Sequence, residues 1–260
     1  MSKPHVVKPK KGHAHTHTII LLHGRGATAT EFAEEFFESQ DREERFISEL
    51  LPGIRWVFPS ATPRYAETEK ETMNQWFDMT SVQRPQEDVE KQKEALKESV
   101  EQVLKIIEDE ARKVPREKIF VGGISQGCAT ALFTMLCSGD RFAGFIGLSG
   151  WLPFQEQIAD IAKRFPNLKY RVHRVRQLVE MKPLPDHMER ECPLRTPVFI
   201  EHCEDDDTVP VENGQAMAET LDKLGMTVRT EWYTEGGHWI KEPQGVDDFV
   251  GFIWRKTMGL

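Results

Sequence analysis

Short apolar segments alternate with charged, amphipathic segments along most of the chain. Six segments have strand character, and most of them are apolar at consecutive positions, which is typical of strands buried on both faces. They are THTIILLHG, IRWVFPSA, EKIFVGGI, FAGFIGLSG, TPVFIEHC and TVRTEWYTE. Residues 86–113 instead carry apolar side chains at intervals of three, four and seven, which predicts a long amphipathic helix. Strands that alternate with helices predict an α/β fold with a mainly parallel central sheet and helices on both faces.

The boundaries of this alternation define the expected domain. The 260 residues are 39% hydrophobic, which is ample for one core, and we expect one domain over residues 16–260. We expect residues 1–15 to form a disordered tail, and we expect no metal site at the histidine cluster HAHTH, residues 13–17. Residues 155–195 are basic, punctuated by prolines and hard to assign. Because this segment leaves the sheet at its carboxyl edge, it is either a cap over a cleft there or a surface excursion on the sheet's flank or in a dimer contact.

Charge and cysteine content exclude several classes of partner. The formal net charge is −8 and both signs are interspersed, so we expect no nucleic-acid partner. The apolar runs are too short for a membrane span, and the first residues contain no apolar signal region. The four cysteines show neither CxxC nor zinc spacing, which favours reduced thiols in a cytoplasmic protein.

The stretch GISQG, residues 123–127, lies between a predicted strand and a predicted helix. It fits the pattern G-x-S-x-G, in which a serine sits on a sharp turn and flanking glycines remove side chains that would clash. Such a turn exposes the Ser125 hydroxyl at the carboxyl edge of the sheet, next to a helix N-terminus. Ser125 is therefore a candidate nucleophile; the alternative is a serine that caps a helix beside a glycine turn.

A serine nucleophile needs a base, and in this fold class the chain order is serine, acid, histidine. His238 follows Ser125 in the chain and lies in a glycine-rich loop after a predicted strand, which makes it the candidate base. The candidate acids are the four consecutive residues after PVFIEHC, namely Glu204, Asp205, Asp206 and Asp207. Spacing alone does not select one of the aspartates, and such a cluster also suits a solvated turn or a weak cation site.

Two backbone N–H groups are candidates for an oxyanion hole. The first belongs to Gln126, directly after Ser125, and the second to Arg25, in the glycine-rich loop HGRG after an early strand. The Arg25 side chain is either solvated or available for an acidic group of a substrate.

From about residue 16 onward, the chain resembles the carboxylesterase and acyl-protein thioesterase branch of the α/β-hydrolases, the phospholipase/carboxylesterase family. Seven blocks occur in the family's order and spacing: LLHGRGATA, WVFPSATP, NQWFDM, VGGISQGCATALF, GLSGWLPF, DDTVP and GGHWI. The resemblance implies the α/β-hydrolase fold. It also implies that Ser125 is the nucleophile and His238 the base, and its D-x-x-V-P pattern selects Asp206 as the acid.

The resemblance implies further site residues, and the chain departs from the family's pattern at two places, one of which is a longer segment between GLSGWLPF and PVFI. The oxyanion donors fall on the backbone of Arg25 and Gln126, and Trp76 and Trp151 match segments near the active-site mouth, which makes them candidate substrate-binding residues. The family often has leucine, glycine and aspartate after the His-Gly pair, where this chain has RGA, residues 25–27. We therefore expect an altered apolar wall of the acyl pocket.

These observations predict a serine hydrolase that cleaves carboxylic ester or thioester bonds through an acyl-enzyme. The expected partners are ester or thioester substrates, including S-acylated proteins or lipids, and neither a metal nor an organic cofactor is implied. One alternative is a carboxylesterase of small esters without protein deacylation. The other, from a different class, is a non-catalytic binding protein on the same fold. Oligomeric state is not readable from the sequence.

Overall fold

The structure, a computed structural model, describes residues 3–184 and 192–258. Its strands are β1 (His5–Val7), β2 (His17–Leu22), β3 (Ile54–Phe58), β4 (Pro63–Ala66), β5 (Glu71–Asn74), β6 (Ile119–Ile124), β7 (Gly144–Leu148), β8 (Val198–Cys203) and β9 (Val228–Tyr233). Its helices are α1 (Ala29–Glu38), α2 (Ile47–Leu50), α3 (Val89–Ala111), α4 (Gln126–Ser138), α5 (Gln155–Arg164), α6 (Leu168–Leu178), α7 (Val211–Lys223) and α8 (Gln244–Thr257).

Seven strands form one sheet in the order β1-β3-β2-β6-β7-β8-β9. Every neighbouring pair is parallel except β1 and β3, which are antiparallel. The six predicted strands are β2, β3, β6, β7, β8 and β9, so the predicted mainly parallel sheet is confirmed. β4 and β5 form a separate antiparallel hairpin that the sequence patterning did not predict.

The sheet separates two layers of apolar side chains, because successive residues of a strand point to opposite faces. In β2, Ile20 and Leu22 belong to the cluster that contains side chains of α3 to α7. Ile19 and Leu21 belong to the second cluster, with side chains of α1 and α8. Helices therefore cover both faces. Every helix of residues 3–184 and 192–258 is too short or too polar to cross a membrane.

The expected disorder of residues 1–15 is wrong for residues 3–15, the part of this segment that the structure describes. His5–Val7 form β1 and pair with β3, with His5 opposite Phe58 and Val7 opposite Trp56. Further along, the amide of Lys10 donates to the Pro52 carbonyl at 2.8 Å. Two adjacent valines favour an extended backbone, and the edge of the sheet offers unpaired backbone groups to pair with. A strand of only three residues has too short a pattern to be predicted from sequence.

The described part of residues 155–195 lies on the flank of the sheet. α5 packs against α7, and α6 packs against α4. The apolar residues Ile158 and Val172 belong to the same core cluster as α3 and α4. Arg176, one of the basic residues of this segment, is buried and donates to the carbonyls of Cys137 and Lys182. The arrangement matches the flank alternative rather than the cap, and residues 185–191 lie outside the described residues.

Candidate active site

Ser125 occupies a strained turn between β6 and α4. Its backbone has φ 56° and ψ −126°, a conformation that costs free energy in a residue with a side chain. The Ser125 amide donates to the Leu148 carbonyl of β7 at 2.9 Å, which ties the turn to the sheet. A Cβ atom at Gly123 would lie 2.7 Å from the Leu22 carbonyl oxygen, so only glycine permits this close approach. The turn places the serine at the carboxyl edge of the sheet and at the N-terminus of α4.

His238 and Asp206 form a hydrogen-bonded pair beside Ser125. His238 Nδ1 lies 2.7 Å from Asp206 Oδ2. An ionised carboxylate only accepts hydrogen bonds, so Nδ1 carries the proton and Nε2 of the neutral ring is left as an acceptor. The Asp206 side chain is fully buried, whereas 22% of the His238 side chain is exposed. His238 and Ser125 line the same cavity.

The surroundings of Asp206 favour its ionised form. Burial opposes ionisation, but hydrogen bonds from His202 and His238 and from the Val209 amide more than offset it, so the pKa of Asp206 lies well below its usual range. Oδ1 accepts from the amides of Thr208 at 2.9 Å and Val209 at 2.8 Å. Asp206 thus presents a fixed negative charge to His238.

The neighbouring aspartates have other contacts. Asp205 accepts hydrogen bonds from the amides of Gly236 at 3.1 Å and Gly237 at 2.8 Å, and so fixes the loop that carries His238. Asp207 is exposed and accepts from the Thr208 hydroxyl. Of the residues in the acidic cluster, Asp206 is the one that contacts His238.

The loop after β2 is fixed by the buried histidine His23. Its Nε2 accepts from the Ala61 amide at 3.0 Å, so its Nδ1 carries the proton and donates to the Gly24 carbonyl at 2.7 Å. Burial lowers the pKa of His23, which keeps the ring neutral. A Cβ atom at Gly24 would lie 3.5 Å from the Ser125 Cβ atom, so this loop lies directly against the serine.

The Gln126 side chain connects α4 to the segment after β5. Its Oε1 accepts from the Trp76 amide at 2.9 Å, and its Nε2 donates to the Phe77 carbonyl at 2.7 Å. The Gln126 backbone N–H is the first of α4, where amides have no acceptor within the helix. It is therefore free of the helix's own hydrogen bonds, on the side of α4 where Ser125 lies.

The Arg25 side chain is neither solvated nor free for a substrate. Its guanidinium forms two hydrogen bonds of 2.6 Å to Glu69, in the β4–β5 hairpin, and Nε donates to Gln75 Oε1 at 2.9 Å. The Gly26 amide donates to the Asn74 carbonyl at 2.8 Å. The loop that carries the Arg25 backbone is thus attached to the hairpin at two points.

Comparison with known proteins identifies the family. A family model described as phospholipase/carboxylesterase matches residues 1–173, which is more than half of the chain. The chain belongs to this family. It is 27% identical over 244 residues to acyl-protein thioesterase 1 of Gibberella zeae, a match that covers 92% of this chain and 90% of that protein.

Solved structures of similar proteins agree with this assignment. The structure resembles the crystal structure of Arabidopsis thaliana SOBER1 with a TM-score of 0.69 and 26% identity, over 92% of this chain and 98% of that chain. Zea mays acyl-protein thioesterase 2 has the same fold, with a TM-score of 0.70 and 24% identity over 99% of this chain and all of that one. As a member of the phospholipase/carboxylesterase family, the chain is a hydrolase of ester or thioester bonds.

In this family member, neither Trp76 nor Trp151 lines the cavity at Ser125, so their predicted contact with substrate is wrong. Both side chains are fully buried. Trp76 Nε1 donates to the His23 carbonyl at 2.9 Å, and Trp151 packs in the core cluster. Proximity along the chain to a site motif does not determine which way a large apolar side chain points, and burial of the large apolar area of an indole is favourable.

The cavity at Ser125 has a volume of about 420 Å³ and is lined in part by residues that sequence reasoning missed. Its apolar wall comes from Phe32 of α1, Met73 of β5, Val82 and Trp239. Of these, only Trp239 had a sequence signal, because it directly follows His238 in the block GGHWI. Two carboxylates of α1 also line the cavity: Glu31 and Glu35. An apolar wall with an acidic margin next to a serine suits an uncharged acyl group.

Proposed function

We propose that Ser125, His238 and Asp206 form a catalytic triad with which this hydrolase cleaves carboxylic ester or thioester bonds. The observation that carries the proposal is the 2.7 Å contact between His238 Nδ1 and the buried Asp206 carboxylate, beside the cavity that contains the strained Ser125. We further propose that the backbone N–H groups of Arg25 and Gln126 form the oxyanion hole.

The first half of the proposed reaction forms an acyl-enzyme. His238 Nε2 takes the proton from the Ser125 hydroxyl as Oγ bonds to the acyl carbon. The carbonyl oxygen becomes an oxyanion, and the two backbone N–H groups stabilise it. His238 then gives its proton to the leaving alcohol or thiol as the bond to that group breaks.

The second half releases the acid. His238 Nε2 takes a proton from a water molecule, whose oxygen bonds to the acyl carbon of the ester on Ser125. Collapse of the second tetrahedral intermediate returns the proton to Ser125 and frees the carboxylic acid. Asp206 keeps its charge throughout and stabilises the imidazolium in both halves. Apart from substrate and this water molecule, each step uses groups of the chain itself, so the proposal needs neither a metal ion nor a cofactor.

The proposed substrates are thioesters of S-acylated proteins or acyl esters of lipids in the cytoplasm. The Gibberella zeae relative is named as an acyl-protein thioesterase, and the apolar wall of Phe32, Met73 and Val82 provides a surface on which an acyl chain can be buried. Hydrolysis of small esters by the same triad uses the same chemistry and differs only in how much of this wall the acyl group covers.

A Ser125→Ala variant tests the proposal, with Ser149→Ala as its matched control. Ser149 also follows a strand of the sheet, is buried and has a positive φ of 45°, but it does not line the cavity. Hydrolysis of a palmitoylated peptide thioester and of p-nitrophenyl esters of increasing chain length is measured, together with labelling by a fluorophosphonate. Ser125→Ala should lower kcat by about 10³-fold or more and abolish labelling, whereas Ser149→Ala should retain both.

The outcomes separate the alternatives. A folded wild-type chain that neither labels nor turns over any of these substrates would support the non-catalytic binding protein. Turnover of short esters alone would support a small-ester carboxylesterase. Equal activity of wild type and Ser125→Ala would refute the triad.

A further inference from the structure

We propose that His202 is a positioning residue that holds Asp206 through a second histidine–carboxylate contact, on the side of the carboxylate away from substrate. The inference rests on the proposed function, because it concerns how the proposed triad acid is held. It adds a residue that no motif of the sequence singles out as part of the site.

His202 contacts the loop after β8, which carries Asp206. His202 belongs to β8, four residues before Asp206, and both side chains are fully buried. His202 Nε2 lies 2.8 Å from the Val209 carbonyl oxygen and 3.1 Å from Asp206 Oδ2. Since the Val209 amide donates to Asp206 Oδ1, one imidazole N–H contacts both ends of the turn that presents the carboxylate.

The tautomer of His202 follows from its two nitrogens. A carbonyl and an ionised carboxylate both only accept, so Nε2 carries the proton. Nδ1 is buried without a hydrogen-bond partner, and a Cβ atom at Gly214 of α7 would lie 2.5 Å from it. A proton on Nδ1 would be a buried, unsatisfied donor, which is unfavourable. His202 is therefore a neutral ring that donates from Nε2.

This contact changes what Asp206 can do for His238. Oδ2 is approached by two N–H groups, one from His202 and one from His238, while Oδ1 accepts two backbone amides. With both oxygens satisfied, the carboxylate cannot rotate without losing a hydrogen bond in a buried environment. His202 therefore fixes the direction from which Asp206 meets the His238 ring.

Few charged groups compete with this contact. The two side chains that act on the Asp206 carboxylate are His202 of β8 and His238 of the loop after β9. Among the described residues, the other titratable groups nearby are Glu201 and Cys203 of β8, Glu204, Asp205 and Asp207 of the loop after β8, and Lys241 of the His238 loop. Glu204, Asp205 and Asp207 are largely exposed, so water screens them.

Loss of the His202 donor should change the pH dependence of kcat/KM in a predictable direction. Without it, the Asp206 carboxylate is less stabilised and attracts the proton of the His238 imidazolium more strongly. The protonated form of the base then persists to higher pH. The acid limb, which is the fall of kcat/KM on the acid side of its pH profile, therefore moves to higher pH. A residue with a purely structural role would lower the amount of folded enzyme without moving this limb.

The test compares His202→Leu and His202→Gln in kcat and in kcat/KM for p-nitrophenyl butyrate between pH 5 and 9. Leucine fills the space without a donor, whereas the glutamine amide can donate from the place of Nε2.

We expect His202→Leu to lower the plateau of kcat/KM about tenfold or more and to raise the midpoint of the acid limb by about half a pH unit or more. His202→Gln should restore both to within a few-fold of wild type. His17→Leu, which removes a buried imidazole at the opposite, amino end of β2, is the control and should keep the wild-type profile.

Two further measurements keep the inference open to refutation if His202→Leu does not fold. Gly214→Ala retains every polar group but displaces the His202 ring, and it should move the acid limb in the same direction. In the wild-type chain, the nitrogen-15 shifts of His202 should report a neutral ring protonated at Nε2, and a proton on Nδ1 would overturn the inference. A folded His202→Leu with the wild-type plateau and midpoint would also overturn it. Failure of the proposed function is seen separately, as wild-type turnover that does not depend on Ser125.

Discussion

A buried histidine lies behind each of the two loops that flank Ser125, and the two histidines use opposite nitrogens. His23, after β2, donates from Nδ1 to the Gly24 carbonyl and accepts at Nε2 from the Ala61 amide. His202, in β8, presents Nε2 to a carbonyl and a carboxylate and leaves Nδ1 without a partner.

The partners of the two rings explain this difference. The hydrogen bonds of His23 are to main-chain groups, so they determine the shape of the loop that carries the Arg25 backbone. His202 contacts the Asp206 carboxylate as well, so it affects the charge next to His238 in addition to the loop's shape. Although both histidines are buried, their loss should therefore produce different kinetic defects. Loss of His23 should leave the pH dependence of kcat/KM unchanged, and loss of His202 should change it.

Removal of the charge at Asp206, the proposed triad acid, should produce the largest effect. Asp206→Asn leaves the side-chain shape intact but presents an amide to His238, which favours the wrong tautomer of the ring. We expect kcat for p-nitrophenyl butyrate to fall about 10³- to 10⁴-fold at pH 8. Asp205→Asn is the matched control and should change kcat less than about tenfold, because Asp205 accepts only the amides of Gly236 and Gly237. A larger loss in Asp205→Asn than in Asp206→Asn would mean that the acid is misassigned.

The acid side of the site was accessible to sequence reasoning for a physical reason. Ser125, the acidic cluster and His238 each follow a strand of the parallel sheet, and the carboxyl ends of parallel strands meet at one edge. Reasoning from spacing left the choice among the aspartates open, and only the family resemblance pointed to Asp206. The contact between Asp206 and His238 is a tertiary feature that no local pattern contains.

The cavity wall was not predictable in the same way. It combines side chains of α1, of β5 and of the loop before α3, and the β4–β5 hairpin has the short, mostly polar strands PRYA and ETMN. Such strands lack the apolar alternation that identifies a half-buried strand. The predicted roles of Trp76 and Trp151 failed because a motif indicates where a residue lies along the chain, whereas core packing decides where its side chain points.

The loop after β2, which carries the proposed oxyanion donor Arg25, should show the second-largest effect. His23→Leu removes two buried hydrogen bonds and leaves the Ala61 amide unsatisfied, so the loop beside Ser125 shifts. We expect a loss of about 10- to 100-fold in kcat/KM, less than the roughly 10²- to 10³-fold that loss of an oxyanion donor costs. The midpoint of the acid limb should stay at the wild-type value, because His23 does not contact Asp206 or His238. A shift of the midpoint as large as that of His202→Leu would remove the distinction between the two histidines.

The ion pair between Arg25 and the hairpin should have a smaller effect. Glu69→Gln weakens the bidentate contact but leaves the Arg25 backbone and the hydrogen bond from the Gly26 amide to Asn74 in place. Partly exposed ion pairs stabilise by at most about 1 kcal/mol, so we expect a few-fold rise in KM for p-nitrophenyl palmitate and little change for the acetate. Glu98→Gln, which removes the partner of Arg64 in the same hairpin, should leave both KM values unchanged. Equal changes for both esters would mean that the contact does not position the wall of the cavity.

Glu201 provides the smallest expected effect on activity, because its charge state acts on folding rather than on the reaction. Its carboxyl group is buried in β8 and accepts a hydrogen bond from the Lys241 amide at 3.3 Å, and burial raises its pKa to about 8. In the unfolded chain a glutamate ionises near pH 4.3, so between about pH 4.5 and 8 the unfolded state releases a proton that the folded state retains. Stability is therefore lost as the pH rises through this window, by an amount on the order of 5 kcal/mol. The glutamine of Glu201→Gln cannot ionise, so the thermal unfolding midpoint of this variant should fall less than that of wild type between pH 5 and 8. The exposed control Glu219→Gln should follow wild type.

The same variant should leave the pH dependence of activity unchanged. Glu201 contacts the His238 loop through the Lys241 amide, so the acid limb of kcat/KM should not move in Glu201→Gln. A shift of the acid limb would mean that Glu201, like His202, affects the charge of the Asp206–His238 pair.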